Sequence, residues 1–149
     1  SRLLWMSTLP ARVAVAGIRD EPLDQAGLAA MVDDHRAGAT VTFTGVVRNH
    51  DAGRAVEGIE YVGHPSAGSI IAEVADEFVT RDGVHAIAVE HRVGMLRVGD
   101  LALVAAVSAS HRSQAFSTCS DLVDRIKQRL PIWKRQQFGD GTAEWSNCP

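Results

Sequence analysis

The 149-residue sequence lacks most of the features that mark specialised classes of protein. It has two cysteines, Cys119 and Cys148, which are far apart and show no CxxC spacing. Neither a disulfide framework nor a zinc site is therefore predicted. No hydrophobic run approaches the length of a membrane span, and the N-terminal SRLLWMSTLP is too short and too interrupted for a signal peptide. We expect a cytoplasmic protein that is not bound to a membrane.

An excess of positive charge and the common cofactor motifs are also missing. The formal net charge is −3, which disfavours a broad electrostatic surface for nucleic acid. The six histidines show no HxxxH or HExxH spacing, so we expect no metal site. There is no glycine-rich phosphate loop and no GxSxG motif. The sequence therefore predicts neither a nucleotide cofactor nor a serine hydrolase.

What is present is the composition of one folded domain spanning 1–149. The chain is 46% hydrophobic and 22% charged, and it is long enough to bury a core. Apolar periodicity predicts three helices, over Asp20 to about Gly38, Pro65–Thr80 and Arg112–Arg129. Strands are predicted over Val13–Ile18, Ala39–Val47, Ala55–Val62, Val84–Val93, Asp100–Ser108 and Ile132–Lys134.

The order of these elements predicts an α+β sandwich with a mainly antiparallel sheet. We expect the strand over Ala55–Val62 to return as the hairpin partner of the strand over Ala39–Val47, after a turn over 49–53. The segment 94–99 is expected to be a turn between two neighbouring strands.

Four cationic or protonatable residues belong to the last helix and its exit. His111 and Arg112 open the helix, where free N–H groups and the helix dipole favour an anion. An arginine fork beside an imidazole would suit a phosphate or a carboxylate. Pro131 ends the helix, so Lys134 belongs to the next strand and can face the same pocket as Lys127.

Each of these residues also has an ordinary structural explanation. His111 can be a helix cap, and the two lysines can lie on the surface beside Trp133. Arg48 ends the strand FTGVVR just before a turn, where functional residues are common but where solvated arginines are common as well. Residue types alone thus make an anion site possible without requiring one.

Four segments stand in order along the chain: GATVTFTGVVRNH (38–50), EHRVGMLRVGD (90–100), SASHRSQAF (108–116) and DRIKQRLPIWKRQ (124–136). Together they resemble the signature blocks of one family, the large catalytic subunit of molybdopterin synthase. SHRSQAF and KxxxPIWK are the more specific of these motifs, and the resemblance covers about Val13 to Trp145.

The resemblance implies an alpha/beta hammerhead-type fold and a homodimer flanked by two copies of a small ubiquitin-like subunit. That partner ends in Gly-Gly and carries sulfur as a C-terminal thiocarboxylate. Two sulfurs pass to cyclic pyranopterin monophosphate and form the dithiolene of molybdopterin, in molybdenum cofactor biosynthesis. No cofactor of the protein's own is implied.

The resemblance also implies roles for six residues. Because both the substrate and the partner's tail are anionic, the cations are expected to converge on one pocket. Whether the second protomer supplies His111 and Arg112 is left open. The implied roles are active-site lysines at Lys127 and Lys134, substrate or anion binding at Arg48, His111 and Arg112, and a pocket wall at Phe43.

The sequence departs from the family pattern at three positions. Val62 and Ala67 stand where the family often has glutamate and methionine, and Gln136 stands where an acid commonly follows WKR. These departures leave an alternative function, a non-catalytic paralogue that binds a ubiquitin-like tail or a pterin phosphate.

Overall fold

The structure is a computed structural model that describes residues 10–148, the last two by backbone alone. The expectation for the N-terminal segment falls, except for Pro10, outside the described residues. Within them, no helix is long and apolar enough to cross a membrane. The helices are α1 (Gln25–Met31), α2 (Ala67–Val79) and α3 (Arg112–Arg129). The strands are β1 (Arg12–Arg19), β2 (Ala39–Val46), β3 (His50–Asp51), β4 (Arg54–Gly63), β5 (Val84–Arg92), β6 (Gly94–Arg97), β7 (Leu101–Ala109), β8 (Ile132–Phe138) and β9 (Ala143–Cys148).

The strands form two sheets. The first has the order β1-β5-β7-β2, in which only the β1–β5 pair is parallel. The second has the order β3-β4-β8-β9, with β6 also paired to β4, and all of its pairs are antiparallel. The predicted α+β class, with three helices and mainly antiparallel strands, is confirmed.

The larger core lies between α2, α3 and the sheets. The apolar stripe of α3 is buried as predicted, which removes its large side chains from water at a gain of about 1.5–3 kcal/mol each. This packing fixes the rotation of α3 about its axis, and with it the direction of the polar residues on its other faces. The buried stripe consists of Ala115, Thr118, Cys119, Leu122, Val123 and Ile126.

The first helix is much shorter than predicted. It begins after Asp24, whose side chain accepts a hydrogen bond from the Gly27 N–H at 3.0 Å. It ends at Met31, and Asp34 then accepts hydrogen bonds from both the backbone N–H and the guanidinium of Arg36. Such local side-chain acceptors compete with helix formation, so the chain leaves the helix there.

The expected hairpin between the strands over 39–47 and 55–62 was wrong. β2 pairs with β7 in the first sheet, whereas β4 belongs to the second and pairs with β3, β6 and β8. The hairpin that forms joins only the two-residue β3 to β4, through Ala52 and Gly53 at φ of 49° and 79°. Two positive φ values are typical of the turns that match the twist of paired strands.

Two further predictions about strands were incomplete. The segment 94–99 contains β6, which pairs with β4, so it is more than a turn. The last predicted strand extends to Phe138, because its ladder with β4 runs from Ile132 to that residue.

Candidate functional site

A cavity of about 380 Å³ lies beside the C-terminal end of α3 and is lined by strands of both sheets. β2 and β7 contribute from the first sheet, and β4 and β8 contribute from the second. A site of this kind needs both sheets to be in place, so it depends on the whole fold.

Lys127 reaches this cavity from the last turn of α3. It lies one turn beyond Val123 of the buried stripe, and residues four apart lie on the same side of a helix. The helix then ends with the Leu130 N–H bonded to the Ile126 carbonyl at 2.8 Å. Packing of α3 therefore sets the position from which Lys127 extends.

Lys134 reaches the same cavity from β8. The Pro131 carbonyl accepts from the His64 N–H at 3.0 Å, which fixes the exit of the chain into this strand. Alternate residues of β8 then face inward, and Lys134 pairs in register with Tyr61. The structure thus places both lysines on one cavity from two different elements.

These are the only two lysines in the chain, which has thirteen arginines. Neither lysine makes a hydrogen bond or an ion pair within residues 10–148. The chain therefore keeps every lysine it has at one place and leaves both amino groups available there.

Arg48 and Phe43 also line the cavity. Phe43 comes from the inward face of β2, whereas Arg48 follows that strand and is exposed. The Arg48 guanidinium lies 3.4 Å from the Asp51 carboxylate, and an exposed pair of this kind holds its partners weakly. Arg48 is therefore an exposed and weakly held cation that lines the cavity.

His111 and Arg112 do not line this cavity in the same chain. They lie at the opposite end of α3, and fifteen residues of helix from Arg112 to Lys127 span about 22 Å. His111 occupies the cap position, where its backbone N–H donates to the Gln114 side chain at 3.1 Å. The prediction that all the cations lie at one pocket is therefore wrong for a single chain, because His111 and Arg112 do not line the cavity.

His91 and Tyr61 are cavity residues that the sequence reasoning missed. The His91 ring is buried, its Nδ1 lies 2.7 Å from the Arg92 carbonyl oxygen, and it meets the Tyr61 ring edge-on at 5.1 Å. Burial, with the nearby charge of Lys127, lowers the pKa of His91 to about 4, although the hydrogen bond to Arg92 acts in the opposite direction. The available signal was that His91 continues the inward face of β5 after Ile87 and Val89.

The charge of the cavity lining is positive. Lys127, Lys134 and Arg48 face a single carboxylate, Asp51, which is already beside Arg48. The buried part of the lining, including Gln136, is neutral. Such a lining favours an anion with a polar but uncharged portion. No group of side chains with metal-binding geometry occurs within residues 10–148.

A second, more open groove adjoins the cavity. It has a volume of about 450 Å³, runs between α3 and β2, and shares Phe43 and Lys127 with the cavity. Its lining is mostly apolar and includes Phe116, which is 63% exposed. This mostly apolar groove therefore meets the cavity at Phe43 and Lys127.

Comparisons with known proteins agree on one family. The family model described as MoaE protein matches residues 18–129. The molybdopterin synthase catalytic subunit 1 of Mycobacterium tuberculosis is 37% identical over 133 residues, covering 86% of this chain and 87% of that protein. A crystal structure of molybdopterin synthase from Staphylococcus aureus matches with a TM-score of 0.81 and 32% identity, over 88% of this chain and 96% of that one.

A more distant structure shares the fold alone. It is the complex of subunits 1 and 2 of molybdopterin-converting factor from Helicobacter pylori, with a TM-score of 0.66 and 18% identity over 87% of this chain and 88% of that one. The family model covers most of the chain, and the close relatives cover it almost throughout. The chain belongs to the MoaE protein family.

Proposed function

We propose that this protein is the catalytic subunit of a molybdopterin synthase and acts as a sulfurtransferase. It would move sulfur from the thiocarboxylated C-terminus of a small ubiquitin-like subunit to cyclic pyranopterin monophosphate, forming the dithiolene of molybdopterin. The observation that carries this proposal is that both lysines of the chain face one cavity, unpaired, with Arg48 at its edge. The names of the relatives support it independently.

The chemistry needs cations for a definite reason. The substrate carries a cyclic phosphate and the partner carries a thiocarboxylate, so two anions must approach each other. Their repulsion is offset most effectively by cations that are already in place before the reaction. Lys127 and Lys134 extend from a packed helix and a paired strand, which provide such placement.

Within this proposal, Lys127 acts at the reacting centre. Its ammonium would stabilise the negative charge that develops on the thiocarboxylate carbonyl as sulfur leaves, or would protonate the oxygen that leaves the pterin. Lys134, held in the ladder with β4, would support it by binding the anionic group. Phe43 would form the wall beside them, and Arg48 would assist at the edge of the cavity.

The partner's tail would approach along the groove between α3 and β2. An extended tail ending in Gly-Gly is narrow, and the groove leads to Lys127. We further propose a homodimer in the cytoplasm, in which His111 and Arg112 act at the cavity of the second copy. Their exposure at the far end of α3 is compatible with that role.

A non-catalytic paralogue is the second candidate, and one observation favours it. Gln136, which replaces the acid common in the family, lines the cavity itself. The other two departures lie elsewhere, since Val62 is exposed on β4 and Ala67 is buried at the start of α2. Of the three departures, only Gln136 lines the cavity.

One experiment separates the two candidates. The purified protein is mixed with thiocarboxylated small subunit and cyclic pyranopterin monophosphate, and the dithiolene product is measured. We expect product formation. Binding of both ligands without product would favour the paralogue, and failure to bind either one would contradict both proposals.

A further inference from the structure

The His91 ring is fixed in the cavity by two contacts. Its Nδ1 lies 2.7 Å from the Arg92 carbonyl oxygen, and the Tyr61 ring packs against it at an interplanar angle of 74°. A carbonyl oxygen can only accept a hydrogen bond, so Nδ1 must carry a proton. In the neutral imidazole, Nε2 is then the unprotonated nitrogen and a hydrogen-bond acceptor.

The ring remains neutral at physiological pH. His91 is 1% exposed, and its pKa of about 4 places protonation well below neutrality. The groups that surround it in the cavity are Lys127 from α3, Lys134 from β8, Tyr61 from β4, and Arg48, His50 and Asp51 from the segment after β2. The positive charge of Lys127 contributes to the lowering of the pKa of His91, after burial.

The acceptor nitrogen of His91 is not used elsewhere. Within residues 10–148 its Nε2 makes no hydrogen bond, and the residue lines the cavity that also contains Lys127. The Nε2 acceptor and the Lys127 ammonium donor therefore open onto the same cavity, neither with a hydrogen-bond partner among the described residues. A carboxylate could also hold an ammonium there, but it would add negative charge to a cavity that suits anions. A neutral imidazole avoids that repulsion.

We propose that His91 is a positioning residue for Lys127, accepting a hydrogen bond from its ammonium through Nε2 and directing that group toward the reacting centre. The inference rests on the proposed function of Lys127 in sulfur transfer. It also makes a claim that needs no activity, namely that His91 and Lys127 are coupled in the free protein.

The coupling is tested by titrating the ¹⁵N signals of the histidine rings by NMR. We expect His91 to remain in the neutral form with the proton on Nδ1 from pH 5.5 to 8. Lys127→Ala should raise the pKa of His91, because it removes the nearby positive charge. Lys134→Ala is the matched control and should change that pKa less. The proposal would be overturned if His91 carried its proton on Nε2. It would also be overturned if the pKa of His91 were the same in Lys127→Ala as in the unsubstituted protein.

The role in catalysis is tested with three substitutions. His91→Gln places an amide oxygen near the position of Nε2, whereas His91→Asn keeps only a group near Nδ1, and His91→Phe keeps neither. We expect His91→Gln to retain most of the kcat, and the other two to lose on the order of 10- to 100-fold with little change in KM, as for a displaced catalytic group.

Two outcomes of that series would contradict a positioning role. Equal losses in all three variants, with melting temperatures lowered alike, would indicate packing alone. A rise in KM without loss of kcat would indicate that Nε2 serves the ligand instead. If the unsubstituted protein forms no product, the proposed function fails, while the NMR titration still decides the coupling.

Discussion

The surface between α2 and α3 and the cavity at the end of α3 use positive charge in opposite ways. On the surface, Arg125 and Arg129 of α3 pair with Glu77 of α2 at 3.1 and 3.0 Å, and Arg129 also pairs with Glu73 at 3.0 Å. In the cavity, Lys127 of the same helix has no such partner within the described residues. Lys127, which is unpaired within residues 10–148, is thus only two residues from each of the paired arginines, Arg125 and Arg129.

The difference follows the chemistry of the two kinds of side chain. Guanidinium groups form fixed, forked pairs with carboxylates, and the chain uses arginine for its surface ion pairs. An ammonium is compact and can give up a proton, which suits a reacting centre. An unpaired cation beside other cations does not help the fold, so function is the better explanation for both lysines.

Among substitutions that test this comparison of surface and cavity cations, Lys127→Ala is expected to have the largest effect on activity. Product formation should fall on the order of 100-fold or more, as when one preorganised donor is removed from a reacting centre. Arg125→Ala is the matched control, since it also removes one positive charge from α3 but on the ion-paired surface. If Lys127→Ala left sulfur transfer intact and Lys134→Ala abolished it, the roles of the two lysines would be reversed.

Because His91 is buried in the cavity, we expect it to make the free energy of unfolding depend on pH. The pKa of His91 is about 4 in the folded protein, below its ordinary value of 6.5. As the pH falls, His91 is therefore protonated in the unfolded chain before it is protonated in the folded one. The free energy of unfolding then decreases between pH 6.5 and pH 4, by up to about 3 kcal/mol.

Urea unfolding at pH 7 and pH 4.5 measures this loss. His91→Gln should show a smaller loss than the unsubstituted protein, because glutamine does not titrate. The same loss in both proteins would show that His91 is not held neutral.

A smaller effect is expected from Gln136→Glu. This change places a carboxylate among the cavity cations, so the KM for the anionic substrate should rise a few-fold through like-charge repulsion. Steady-state kinetics measure it, with Gln137→Glu on the opposite face of β8 as control. If Gln136→Glu instead created activity in an inactive protein, the natural chain would be the non-catalytic paralogue.

The smallest effects concern stability at neutral pH. Arg129→Ala should lower the melting temperature slightly, because it breaks two exposed ion pairs. Lys127→Ala should leave it unchanged or raise it, since it removes an unpaired cation. Calorimetry measures both melting temperatures. A lower melting temperature for Lys127→Ala than for Arg129→Ala would contradict the view that surface cations stabilise the fold and cavity cations do not.

Local features of the sequence were sufficient for α3 and its exit. The apolar stripe with its buried Cys119 and Leu122, followed by Pro131, predicted both bounds of the helix and the change of direction before Lys134. Such signals depend on neighbouring residues, which is why they can be read without the fold.

Long-range features were not readable in this way. The partner of β4 depends on which distant strands meet it, and nothing near Arg54 specifies β8 over β2. His91 was missed because one histidine at the end of an apolar strand resembles a core position until the cavity around it is known. His111 and Arg112 are close to Lys127 in sequence but far from it along a rigid helix.

The central claim, that the cavity with the two lysines is the substrate site, has a direct test in amine footprinting. Within residues 1–149 the side-chain amines are those of Lys127 and Lys134, and mass spectrometry resolves their labelling from that of the N-terminal amine of the purified protein. We predict that cyclic pyranopterin monophosphate protects both lysines and leaves the N-terminal amine, the internal control, unchanged. Bound substrate with undiminished labelling of both lysines would contradict the account.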